Sequence, residues 1–394
     1  MRNLRKIKIY ILIFLLIITS FSFYIRNISL THKNNIHVFI DCATGPMLLQ
    51  AIEIISMPKS IKKIVAWNPF PHQIDNKKYN IEFLKYSKGD GWFGYAMHDA
   101  LYARMREIVS NNPHVTFTFH TNIFHSRLFL NKIEEFKNYI NKIHLYEDGI
   151  GNTIASRRNE LEKYSFDKNT QPTDKWRLDW PYFLHLKYPT VYHFAFVDDI
   201  KNTFPKLNKL IADATILEIN IEKSKKNLSK RQKQGLAHLY GIDFDKYNQL
   251  FRKSPKMLSK KGVLLLGSRP QHSNHGDYIK ELNLYAQLIS NDNYVYFFKP
   301  HPNPSGNRFA NDLKKSFPNL EIVNSSIPAE LFYILDLEPD YISGYSSSVF
   351  ISIPQKQFMH YIKRNNDTYL PFLLQKGIIK PEQILDQHLS ATDL

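Results

Sequence analysis

Two short clusters of ionisable residues stand at the ends of apolar, β-rich runs. Glu147-Asp148-Gly149 follows Ile143-His144-Leu145-Tyr146, and Lys299-Pro300-His301-Pro302 follows Tyr294-Val295-Tyr296-Phe297-Phe298. In open α/β sheets, ligands bind beyond the carboxyl ends of the strands. A carboxylate at one such end and an imidazole at another are a base and an acid able to face each other across a cleft. Adjacent carboxylates repel, which raises the pKa of one and suits it to accept a proton. The prolines flanking His301 lock their own φ at about −65° and remove two backbone donors, so the imidazole sits on a stiff, non-helical segment. Lys299 adds a positive charge suited to a phosphate. A third cluster, Gly344-Tyr345-Ser346-Ser347-Ser348, offers hydroxyl donors at a strand-to-helix junction, a setting for a phosphate. Glu330, opening the preceding helix, can accept hydrogen bonds from a ribose diol. Taken singly, each cluster also has an ordinary structural reading as a turn, a Pro-rich loop, a serine N-cap or a helix-end charge.

Other patterns carry less. Asp243-Phe244-Asp245 matches the Asp-x-Asp pattern of metal-dependent glycosyltransferases, but no strand precedes it and it reads as a loop. Gly149-Ile150-Gly151 lacks the third glycine of a dinucleotide fingerprint. The 16 histidines include no His-x-x-x-His pair flanking a glutamate, and Ser346 to Ser348 form no Gly-x-Ser-x-Gly elbow. Cys42 is the only cysteine, so neither an intrachain disulfide nor a cysteine zinc site can form, and it reads as a buried thiol.

The elements that must position these groups alternate. His37 to Asp41 reads as a first strand and Pro46 to Ile55 as a helix. Ile64 to Trp67 and Val115 to Phe119 read as strands, with Trp92 to Ser110 and Thr121 to Phe136 as helices. From about Asn152 to Lys256 the pattern turns helical and charged, as in Ile219 to Leu239. The alternation restarts at Gly262 to Gly267, then runs through Tyr278 to Ser290, the strand before His301, Leu320 to Val323, Ala329 to Leu335 and Tyr341 to Ser343. Such alternation implies parallel, doubly wound sheets with right-handed crossovers. With 394 residues, two domains are expected, and 43% hydrophobic with 22% charged residues is ordinary for a folded chain.

Arg2, Arg5, Lys6 and Lys8 precede an apolar run from Ile9 to Ile25. This reads as an uncleaved anchor that places the chain at a bacterial inner membrane, with a cleaved signal peptide as the alternative. The positive-inside rule would put the catalytic domains outside the cytoplasm. The net charge of +16 calls for an anionic partner. No helix-turn-helix, zinc-finger or RNA-recognition pattern accompanies it, so a membrane surface and an anionic donor explain the charge better than nucleic acid does.

The order Glu-Asp-Gly, His-Pro, Ser-Ser resembles the bacterial sialyltransferases of glycosyltransferase family 80. The resemblance runs through Phe39-Ile40-Asp41-Cys42-Ala43, His120-Thr121-Asn122-Ile123-Phe124-His125-Ser126, His144 to Gly149, Tyr188 to Phe194, Phe298 to Pro302, and Ser347-Ser348 with Ser352-Ile353-Pro354. It implies a GT-B fold, with two Rossmann-like domains facing each other across a cleft. The expected division is a leader at 1–28, an acceptor domain at 29–255, a CMP-sugar domain at 256–380, and a C-terminal helix at 381–394 packing back on the first domain. The resemblance further implies inverting, metal-independent transfer of sialic acid from CMP-sialic acid to a galactose-terminated glycan such as a lipooligosaccharide, through an α-2,3 or α-2,6 linkage. No cofactor is expected beyond the donor. Asp148 is then the general base and His301 the general acid. Ser347 and Ser348 hold the phosphate, Glu330 the ribose, and Lys299-Pro300 the cytosine, while Asp41, His125 and Glu147 lie on the acceptor side. The chain departs from the family at Asn303, where an arginine is common, near Gln271, where a tryptophan is common, and at Ile150, where a serine is common. Two alternatives are another CMP-activated acid sugar as donor, such as a different nonulosonic acid or Kdo, and a catalytically inactive glycan-binding protein.

Overall fold

The computed structural model describes residues 34–386 except 69–75, 86–94, 125, 127–129, 131, 149–157, 175, 254–258, 269–274, 365, 366 and 368. The leader at 1–28, His125, Ile150, Gln271 and residues 387–394 therefore lie outside the described residues. Among the described residues no helix is long and apolar enough to cross a membrane.

The first domain runs β1 (Asn35–Asp41), α1 (Thr44–Ser56), β2 (Lys63–Trp67), β3 (Ile81–Phe83), α2 (Tyr95–Asn111), β4 (Thr116–Asn122), β5 (Ile140–Tyr146), β6 (Thr190–Phe194) and β7 (Thr215–Glu218). Its seven described strands are ordered β3-β2-β1-β4-β5-β6-β7 and all pair parallel. Parallel strands are covered on both faces, which is why β1 and β2 read as near-continuous apolar runs.

Two helices, α3 (Ile221–Asn227) and α4 (Lys230–Leu239), lead out of this sheet. The expected single helix over 219–239 breaks at Ser229, whose side chain and Gln232 form a reciprocal capping box.

The second domain runs β8 (Lys261–Leu266), α5 (His275–Ile289), β9 (Tyr294–Lys299), α6 (Pro304–Ser316), β10 (Glu321–Ile322), α7 (Ala329–Ile334), β11 (Tyr341–Gly344), α8 (Val349–Ser352), β12 (Phe358–Lys363), α9 (Leu370–Gln375) and β13 (Ile384–Asp386). Its strands follow the order β10-β9-β8-β11-β12-β13. Both sheets thus have the doubly wound order in which the chain reverses direction beside its first strand.

Three expectations are corrected. Thr121 to Phe136 is not one continuous helix: among its described residues only 123, 124 and 126 are α-helical. β4 continues through Thr121 and Asn122, both fully buried and paired with Leu145 and Tyr146, and a short 3-10 turn occupies Ile133–Tyr139. The stretch after Asn152, expected to be helical, contributes β6 and β7. The C-terminal helix over 381–394 is replaced, as far as Asp386, by a 3-10 turn and edge strand β13 of the second sheet. Contact with the first domain comes instead from α9, whose Phe372 meets Phe196 edge-on at 5.3 Å.

A single apolar core crosses between the domains. It joins Phe39, Met47 and Trp67 of the first, Leu236, Ala237, Tyr247 and Phe251 of the connection, and Leu264, Phe297 and Phe332 of the second. The outer faces of the two sheets carry separate cores.

Candidate active site

Each sheet reverses its winding at one point, between β1 and β4 in the first and between β8 and β11 in the second. The loops leaving these strands converge on one cavity of about 350 Å³. Cys42 to Gly45 and Asp148 line it from the first domain, and Gly267, Ser268, Lys299 to Pro302, Glu330 and Tyr345 to Ser348 from the second. The carboxylate of Asp148 and the imidazole of His301, expected as base and acid, are brought together at opposite walls.

His301 is held by its own turn. Asn303 caps α6 through a side-chain bond from the Gly306 N–H at 2.8 Å, with Pro304 at the first helical position. The Asn303 backbone N–H also donates to His301 Nδ1 at 3.3 Å. A ring that accepts at Nδ1 carries its proton on Nε2, the arrangement a general acid needs. Asn303, noted in the sequence only as a departure, is therefore a positioning residue. The Asn-Pro pair before a helical run was the signal that could have found it.

Lys299 is 9% exposed, and burial pushes its ammonium down to about 8, opposed by the nearby Glu330. Its Nζ donates to the Ser325 carbonyl at 3.4 Å. Glu330, also buried, accepts from the Ser348 hydroxyl at 2.7 Å. Arg364, which no motif announced, also lines the cavity. It pairs with Glu281 at 3.0 Å and lies 4.8 Å from the Tyr345 ring centroid.

Two expected acceptor residues are placed differently. Asp41 is fully buried behind the cavity. It accepts from the N–H groups of Cys42 and Ala43 and from Gln50 and Asn122. Burial and then repulsion by Asp148 push its carboxyl up to about 8, against those hydrogen bonds. It can act on a ligand only through the loop it holds. Glu147 turns away from Asp148 and takes the Ala195 N–H at 2.6 Å. It lines an adjoining cavity of about 260 Å³, whose walls also include Gly45, Glu330 and Ser348. Glu147 and Asp148 therefore line two adjoining cavities. Cys42 is buried, and desolvation followed by Asp41 and Asp148 pushes its thiol up, consistent with an inert thiol. Asp243 is a helix cap, accepting from the Lys246 N–H at 3.0 Å, which removes the Asp-x-Asp metal reading.

Residues 277–370 match the family model described as Sialyltransferase PMO188. No curated protein sequence matches the chain. Solved structures similar to it include the α/β-galactoside α-2,3-sialyltransferase of Photobacterium phosphoreum, with a TM-score of 0.69 and 19% identity, covering 92% of this chain and 100% of that one. The GT-B domain of a Photobacterium damselae sialyltransferase gives a TM-score of 0.68 at 19% identity over 89% of this chain and 99% of that one. A 2,6-sialyltransferase of Photobacterium sp. JT-ISH-224, solved with CMP and lactose, gives 0.68 and 19% over 90% and 78%. The sialyltransferase family model thus matches the greater part of the second domain, and most of the chain shares the two-domain GT-B fold of these solved sialyltransferases.

Proposed function

We propose that the chain transfers sialic acid from CMP-sialic acid to a terminal galactoside of a surface glycan, with inversion and without a metal. One observation carries this reading: Asp148 stands on the first-domain wall of the cavity, opposite His301, Lys299, Ser347 and Ser348 on the second. Asp148 takes the proton of the acceptor hydroxyl as its oxygen attacks the anomeric carbon. The bond from that carbon to the phosphate oxygen breaks on the other face. His301 donates its Nε2 proton to the departing phosphate, whose charge Lys299 and the serine hydroxyls meet. A CMP leaving group carries one phosphate, so no diphosphate-binding cation is needed. Glu330 holds the ribose, and Lys299-Pro300 lies against the cytosine. The 2,6-enzyme solved with CMP and lactose supports a CMP donor and a galactose-terminated acceptor. The basic, apolar leader would keep the enzyme at the bacterial inner membrane.

The test is direct. Purified chain incubated with CMP-Neu5Ac and lactose is expected to yield sialyllactose and CMP. Each positioned acid or base is typically worth about 10²–10⁴-fold, so Asp148→Ala and His301→Ala should each lose about that much turnover with unchanged circular dichroism. Near-parent turnover in either variant overturns the roles. Transfer from CMP-Kdo but not from CMP-Neu5Ac overturns the donor.

A further inference from the structure

The inner face of the first sheet carries a row of histidines on adjacent strands. His37 on β1 lies 2.9 Å from His120 on β4, and His144 Nδ1 on β5 lies 3.1 Å from His193 Nε2 on β6. The His120 and His144 rings stack with centroids 4.5 Å apart, and the His144 and His193 rings lie tilted at 5.4 Å. Glu53 of α1 reaches down onto this row. Ligand atoms of Glu53, His144 and His193 all lie within 4.8 Å of one another. We propose that Glu53, His144 and His193 form a binding site for one divalent transition metal of the zinc class, separate from the reacting cavity.

Several features fit a ligand set better than a packed cluster. Two nitrogens on a tetrahedral zinc with bonds of about 2.0–2.1 Å stand roughly 3.3 Å apart, close to the separation of the two imidazoles here. The Glu53 side chain is 26% exposed, which gives the ion a way in. The carboxylate is oriented by groups behind it. Tyr146 donates its hydroxyl to Oε1 at 2.7 Å, and His120 Nδ1 lies 3.1 Å from Oε2. Such outer partners fix the orientation of metal ligands. Imidazole with carboxylate is a donor set suited to zinc and its neighbours.

The placement suggests what the ion does. Tyr146 immediately precedes Glu147-Asp148, and the Glu147 N–H donates to the His193 carbonyl at 3.0 Å. A metal joining α1, β5 and β6 would fix the strand end that carries Asp148 without touching it. The proposal does not depend on which sugar is transferred.

The full-length chain, stripped with EDTA and dialysed, is titrated calorimetrically with zinc chloride alone. One tight equivalent is expected, with affinity falling at least about tenfold in Glu53→Gln, His144→Gln and His193→Gln. Cobalt loading should add visible absorption bands in the parent and not in the variants. The partly exposed Glu53→Gln leaves both rings in place, so it decides the matter where a histidine variant fails to fold. No bound equivalent in the parent, or parent-like affinity in a folded Glu53→Gln, overturns the site and leaves a hydrogen-bonded histidine row.

Discussion

At the scale of single residues, Lys299 carries a large desolvation cost. Its ammonium, ordinarily near 10.5, is held at about 8 by burial. A lowered value means that the unfolded chain binds the proton more tightly. The stability this residue contributes is complete above pH 10.5 and is lost as pH falls through 8. At neutral pH a shift of this size costs roughly 3 kcal/mol. Lys299→Met is therefore expected to raise the melting temperature of the ligand-free protein at pH 7 by several degrees, with the gain vanishing near pH 10.5. The same variant should raise KM for the CMP-sugar at least about tenfold, since one desolvated charge beside a phosphate is worth a few kcal/mol. A melting temperature that does not rise would show that the ammonium is better solvated than its burial implies.

At the scale of elements, the site depends on close backbone approaches. A Cβ on Gly306 would stand 2.3 Å from the His301 carbonyl oxygen and 2.9 Å from its nitrogen. Gly306→Ala must therefore push the His-Pro turn off α6, or the helix off the turn. A shift of about 1 Å at a reacting group costs about 10²-fold. We expect steady-state kinetics with CMP-Neu5Ac and lactose to show kcat falling by about that factor, with a smaller change in the KM of lactose. A loss confined to KM would place the disturbance elsewhere.

This scale also explains what the sequence could and could not reveal. The strands before Asp41, Gly267 and Lys299 were legible because both faces of a parallel sheet are buried and their runs are nearly all apolar. Strand β7 was not, because Thr215–Glu218 is mostly exposed at the sheet edge. The end of β4 was missed because Thr121 and Asn122 are polar yet fully buried, a combination that only the neighbouring strands dictate. Asp148 and His301 were legible from motif and spacing. The turn of Glu147 towards Ala195, the burial of Asp41 and the arrival of Arg364 depend on backbone parity and long-range packing, which carry no local signature.

At the scale of the molecule, the domains are joined by a continuous apolar core and only weakly by charge. Lys225 pairs with Asp336 and Glu338, and Lys233 with Asp336, but Asp336 is 54% exposed and pairs of this kind contribute little. Phe332 is fully buried and meets Tyr247 at 5.0 Å and Phe251 at 5.3 Å. Phe332→Ala should cost about 3–5 kcal/mol. Scanning calorimetry is expected to show a single transition in the parent and a single, lower one in the variant. Two resolved transitions in the parent would mean that the domains fold independently.

The shared core has a further consequence for engineering. The connection helices present Leu236 and Ala237 to α1 and Phe251 to Phe297 at 4.8 Å, so each domain completes the interior of the other. A chimaera that exchanges the second domain for that of a distant relative would bring together two halves of a core cut for different partners. Altered donor choice is more safely sought by changing loops at the cavity rim than by swapping domains.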